Sequence, residues 1–219
     1  MLDTQKQELL CAISELDKHN FFLFNQGSIS LCDRANNLII THPAALPESP
    51  AAEQMLICDA SGKPIEGDTL PCRSLSAHLE LYRAFPSVGA IVHSHGLYTT
   101  AWAQAGRDIP VYGTGHLEHF SEAIPCTRAI TPDEVFDSYS QAVGAVIAEM
   151  FQKKSLDPET IPAALVFQHG AFIWGIDANE AVSRAIALER IAHLAMMTES
   201  INPSVADNRM TITPRTNDI

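Results

Sequence analysis

Apolar and polar positions along this chain follow two different periods, and the switches between them outline its elements. Residues 4–19 place Leu9, Leu10, Ile13 and Leu16 on one face at helical spacing, with Thr4 or Asp3 available as a cap. "SISLCDRANNLIITHP" then reads as a hairpin, two short apolar runs about a turn at Asp33 to Asn37, and "QMLICDASGKPIEG" repeats the pattern about Ser61-Gly62. After Pro71, "SLSAHLELYRAF" predicts a short helix stopped by Pro86. "VGAIVHSH" is too short and too rich in small and β-branched residues for a helix and reads as a buried strand. "YTTAWAQAG" predicts a helix ending at Gly106, followed by extended pieces at "DIPVYG" and "AIPCTR". The clearest helical signal is "TPDEVFDSYSQAVGAVIAEMFQK". There Thr131 caps, Pro132 takes the first turn and Glu134 completes a capping box. Val135, Tyr139, Ala142, Val143, Val146, Ile147 and Met150 form its expected buried stripe. "AALVFQHG" and "AFIWG" predict two more strands, and "DANEAVSRAIALERIAHLAMMTESI" a last helix with a second box at Asp177 and Glu180. Strands and helices interleave, though several strands arrive as hairpins, which points to a mixed sheet covered by helices. One domain over residues 1–201 is expected, followed by a polar tail at 202–219 that carries Pro203 and Pro214.

Composition narrows the function classes. A chain of 219 residues can bury a substantial core without disulfides or a structural metal. The net charge of -12 disfavours nucleic acid and anionic membranes as partners, and an anionic substrate would need local positive charge at its site. The five cysteines, Cys11, Cys32, Cys58, Cys72 and Cys126, are scattered and form no C-x-x-C pair, so reduced thiols in a cytoplasmic protein are expected. The opening residues lack the apolar core of a signal peptide, and no apolar run approaches the roughly 20 residues of a membrane span.

The candidate chemistry lies in the histidines. In a strand His93 and His95 project from one face, where two neutral imidazoles suit a divalent transition metal. Two surface imidazoles at a strand end are the competing reading. His169 of "LVFQHGAFIWG" also ends an apolar run and could supply a third ligand, or be a half-buried strand-end residue. His116 and His119, in "GTGHLEHF", read as loop histidines beside Gly113 and Gly115, and His78 as a hydrogen-bonded core residue. His19, His42 and His193 carry no supporting pattern.

"GAIVHSHGLYTTAWAQAGRDIPVYGTGHLEHFSEAIPCTR", with "KHNFF", "YRAFPSVGAIVHSH", "IPAALVFQHGAFIWG" and "NEAVSRAIALERIAHLA", resembles the class II aldolase, epimerase and adducin-head family. The resemblance runs from about Gln5 to Ile201 and is strongest to the L-ribulose-5-phosphate 4-epimerase branch. It implies a three-layer α/β/α sandwich with a mostly antiparallel mixed central sheet, assembled as a homotetramer with sites between subunits. It implies a divalent metal, zinc foremost with manganese or cobalt as alternatives, held by His93, His95 and His169. The chemistry implied is aldol cleavage, epimerisation or a related enolate-forming step on a small sugar or keto acid. Glu118 falls where the epimerases place an acid/base aspartate, with a structural ion pair as the alternative role.

Other positions depart from the family's pattern. An acidic residue is usual where this chain has Ser74, in "PCRSLSAH", and a serine hydroxyl cannot act as a carboxylate base near neutral pH. The phosphate-binding Gly-Asn has become Gly27-Ser28, and a Ser-Gly has become Ala44-Ala45 after His42-Pro43; Gly27, Ser28, Arg73 and Ser74 are the substrate contacts that the resemblance implies. Arg73 could offset this by pairing bidentately with a phosphate or carboxylate, or be a surface arginine. All four tyrosines, Tyr82, Tyr98, Tyr112 and Tyr139, precede the tail, so the epimerases' C-terminal tyrosine has no counterpart there. These losses also fit a non-catalytic, scaffolding relative.

Overall fold

A computed structural model describes residues 2–22, 26–135 and 138–207. Seven strands form one sheet: β1 (Ser28–Asp33), β2 (Leu38–Thr41), β3 (Leu56–Asp59), β4 (Pro64–Glu66), β5 (Ala90–Ser94), β6 (Ala163–Val166) and β7 (Gly170–Gly175). Their order is β4-β3-β2-β1-β5-β7-β6. Every neighbouring pair is antiparallel, so the sheet is less mixed than the sequence suggested. Among the described residues the one parallel contact is an isolated bridge between Cys126 and Leu165.

Alternation along β5 divides the core. Ala90 and Val92 face helices α1 (Asp3–Lys18), α3 (Leu97–Ala105) and α6 (Ala178–Ile201). Ile91 faces α2 (Leu75–Ala84) and α5 (Tyr139–Lys154), and His93 follows it on that face, opposite Phe172 of β7. The result is the expected helix–sheet–helix sandwich. A four-residue helix, α4 (Thr114–Leu117), lies in a stretch that the sequence pattern leaves as loop.

Three local expectations need correcting. Helix α1 begins at Asp3 with no side-chain cap, so neither Thr4 nor Asp3 plays that part. The predicted helix from Thr131 is broken. Pro132–Val135 forms a 3-10 turn, and α5 starts at Tyr139, where the Ser138 hydroxyl accepts from Gln141 N. The Thr131–Glu134 box closes only in part: Thr131 N donates to the Glu134 carboxylate at 2.7 Å, but Glu134 N reaches the Thr131 carbonyl and not its hydroxyl, and Arg128 holds the same carboxylate at 2.6 and 2.8 Å while also pairing with Glu149 of α5. Val135 and Tyr139 consequently stand exposed and leave the buried stripe to the residues from Ala142 onward. Of the second box only the cap half forms: Asp177 accepts from Glu180 N at 2.8 Å, while the Glu180 carboxylate takes Ile176 N at 2.8 Å instead of the cap residue's own N–H. The tail from residue 208 lies outside the described residues.

Candidate metal centre

The histidines meet at one end of the sheet. His93 is the fourth residue of β5, and His95 sits one residue beyond the strand. His169 occupies the turn between β6 and β7, where Gln168 takes a left-handed conformation (φ 55°) and His169 N donates back to Val166 O at 3.0 Å. Ring centroids are 4.7 Å apart for His93–His95, 4.8 Å for His93–His169 and 5.0 Å for His95–His169. One ligand atom from each lies within 4.8 Å of the others. The next residue, Gly170, permits this approach, since a Cβ there would come within 2.6 Å of Ser94 O and 3.2 Å of His95 Nδ1.

The donor set suits a divalent ion on three counts. Burial first, and then the neighbouring histidines, hold His93 well below its ordinary pKa. Burial also lowers His95 and pushes His169 down to about 4. All three are therefore neutral near pH 7, as ligation requires. The His93 Nδ1–H donates to Ala171 O at 3.1 Å, which leaves Nε2 with its lone pair for coordination. His169 Nδ1 lies 3.3 Å from the Tyr139 hydroxyl, a partner of the same outer kind. Three imidazoles with room for a further ligand are the donor set of a catalytic zinc site.

The cavity over these rings has a volume of about 160 Å³. Gly27, Arg73 and Ser74 line it, as the sequence proposes for substrate contacts. Ser28 does not, because its buried hydroxyl is engaged with His78 Nε2 at 3.1 Å. His78 also meets the Ser30 hydroxyl at 2.7 Å, and burial brings its pKa to about 3, so it is the satisfied core histidine expected. Glu118 is not brought to the histidines. It lines a separate cavity of about 510 Å³ with His116, His119 and Arg190. No aspartate or glutamate among the described residues lines the histidine cavity.

Among the lining residues that escape the sequence reading are Tyr139, His42 and Gln26, the last of them just ahead of β1. Tyr139 reaches the site because α5 starts there, which the helix pattern misplaces. His42 follows β2 directly, just as His95 follows β5, and that strand-end placement is the signal that could have singled it out.

The α3 end of the site is tied down by α6. Glu189 accepts from Tyr98 N at 2.7 Å, Thr99 N at 3.1 Å and the Thr99 hydroxyl at 2.8 Å, directly after His95-Gly96. Farther along α6, Arg107 holds Glu199 through two bonds of 2.6 Å.

Known proteins share this arrangement of elements. An L-fuculose 1-phosphate aldolase superposes with a TM-score of 0.77 at 20% identity, covering 95% of this chain and 90% of its own. YgbL of Escherichia coli, described as a candidate aldolase/epimerase/decarboxylase, gives 0.70 at 18% identity, with 95% and 99% covered. A sugar-phosphate aldolase from Thermotoga maritima gives 0.68 at 18% identity, with 90% and 95% covered. At such identities the likeness establishes the fold. The sequence profile described as "Class II Aldolase and Adducin N-terminal domain" matches residues 7–196, nearly all of the described sandwich. On that match, the chain belongs to the class II aldolase and adducin N-terminal family.

Proposed function

We propose that this chain is a divalent-metal-dependent lyase or epimerase that works through an enediolate on a small sugar or keto acid. The observation that carries the reading is the convergence of His93, His95 and His169, neutral and within 4.8 Å of one another, on the floor of a cavity. A bound zinc, manganese or cobalt ion would supply a Lewis acid to a carbonyl oxygen, lowering the cost of the neighbouring carbanion. The chain's own groups do the rest. Ala171 O and Tyr139 orient two of the imidazoles. Ser74 and Gln26 offer hydrogen bonds to substrate hydroxyls. Glu118 serves as acid/base across a subunit contact of a homotetramer, since within one chain it faces a different cavity. The five free cysteines suit a cytoplasmic setting. Close kinship to the ribulose-phosphate epimerases belongs to the same proposal, as does the exchange of the usual acid for Ser74.

Metal content tests it. Protein purified without chelator is expected to hold about one zinc or manganese per chain, and the His93→Ala/His95→Ala variant to hold none. Wild type that stays metal-free after exposure to both ions would remove the Lewis acid and with it this mechanism. The absence of a carboxylate from the histidine cavity among the described residues favours a second reading, a scaffolding relative, which that outcome would support.

A further inference from the structure

The histidine cavity continues into a larger one of about 960 Å³, and the two share Gly27, His42, Ala44 and Arg73. His42 and Arg73 are neighbours there by construction. Pro43 and Pro71 form an antiparallel bridge, Cys72 N donates to His42 O at 2.9 Å, and Arg73 follows Cys72.

These two side chains have complementary and unusual states. His42 is buried, 3% exposed, and its Nδ1 lies 2.8 Å from Pro43 O. A carbonyl only accepts, so Nδ1 carries the proton and Nε2 the lone pair. Nε2 is buried and has no hydrogen-bond partner. Burial brings the ring's pKa down to about 4, so it remains neutral and Nε2 remains an acceptor. Arg73 is exposed at the junction of the cavities and makes no hydrogen bond or ion pair with any described residue.

We propose that this junction recognises a 2-hydroxy carboxylate, with the carboxylate on Arg73 and the adjacent hydroxyl donating to His42 Nε2. This rests on the metal-enzyme reading above and names its substrate class. The guanidinium fork matches a carboxylate bidentately. A phosphate ester is close to a dianion near pH 7 and presents acceptors alone. It would set its oxygens against the lone pair of His42 and beside Ala44 and Ala45, which offer no side-chain donors. One arginine and one acceptor nitrogen therefore select a carboxylate whose hydroxyl sits on the adjacent carbon, whereas in a phosphate ester such as glycerol 3-phosphate the ester oxygen and a further carbon separate the anion from its nearest hydroxyl.

The test is an NMR shift titration of metal-free protein with glycerate, propionate and glycerol 3-phosphate. Without an ion, chelation cannot imitate recognition, and a failure of metal binding is scored separately by zinc stoichiometry. Glycerate is expected to bind about tenfold tighter than either other ligand, the worth of one hydrogen bond to a buried acceptor. Arg73→Gln, at an exposed position, should weaken glycerate by about the same factor. His42→Phe should erase the preference for glycerate over propionate, and His42→Gln, which restores an acceptor, should recover part of it. Glycerol 3-phosphate binding as tightly as glycerate, no saturable glycerate binding, or a preference unchanged in His42→Phe would each overturn the proposal. A normal zinc stoichiometry alongside any of these would leave the metal reading standing.

Discussion

Glu189→Gln isolates the contact that fixes His95. In the native chain both carboxylate oxygens work: one accepts from Tyr98 N, the other from Thr99 N and the Thr99 hydroxyl. Glutamine keeps a single carbonyl oxygen, so at least one of the three bonds is lost and an amide N–H is turned toward a backbone donor. One hydrogen bond to a charged group contributes about 1.5–3 kcal/mol. Removing a negative charge from the N-terminus of α3 costs a further ~0.3–1 kcal/mol. The group is half-buried, so the lower halves of these ranges apply and about 2–3 kcal/mol is expected in total. Urea denaturation at pH 7.5 should show the midpoint falling with the slope unchanged. Zinc affinity should fall with it, because His95 and Gly96 lead directly into the loosened turn. A loss below about 1 kcal/mol with zinc affinity intact would refute the anchoring argument, since a single charged bond already exceeds that.

Three further outcomes follow from the same structure. Tyr139→Phe removes the partner 3.3 Å from His169 Nδ1 and should weaken zinc about tenfold in a competition assay while leaving the urea midpoint in place; an unchanged affinity would mean the contact does not orient the ring. Burial holds His42 at about 4 and His78 at about 3, below the unfolded value, so the unfolded chain binds the extra protons and stability is lost as pH falls from about 6.5 toward 4. At about pH 5 each contributes a loss of roughly 2 kcal/mol, and His78→Gln should flatten the profile; parallel profiles for variant and wild type would rule out burial of that ring as the cause. Gly144→Ala should destabilise by about 1–3 kcal/mol despite alanine's better helix propensity, because its Cβ would lie 2.6 Å from Ala77 O and force α2 from α5; a stabilised variant in thermal melts would show that the interface yields.

Much of the fold is legible because its strands are short, apolar and bounded by turns. The β1–β2 turn, for example, ends on Asn37 with φ 56°, as "DRANN" suggests. Periodicity fails where side chains, not backbone preference, set the boundary. Nothing in the spacing of Val135, Tyr139 and Ala142 reveals that Arg128 pins Glu134 in a separate turn, and the misplaced start hides Tyr139 from the site. The His-x-His pair is visible in sequence, but its third member is one of nine histidines, and the β6–β7 turn is what brings the His169 ring within 5.0 Å of the His95 ring. Glu118 shows the opposite limit. Its position in the family's pattern suggests a role beside the metal, whereas a single folded chain puts it in another cavity.

The placement of the cavity explains why family and substrate differ so much in legibility. Gly27 precedes β1, His42 follows β2, His95 follows β5, and His169 precedes β7. In an antiparallel sheet ordered β2-β1-β5-β7 these positions all fall at the same end, and Arg73 and Ser74 join them just ahead of α2. The sheet's buried alternation stops at that edge, so residues there can change without opening a void in either core layer. The three histidines require the register of β5 against β7, in which His93 stands opposite Phe172 and stacks on it at 4.3 Å. His42, Arg73 and Ser74 require only that the strands end where they do. The placement of the three histidines is thereby coupled to the fold, while the positions of His42, Arg73 and Ser74 leave their side chains open to change without disturbing it.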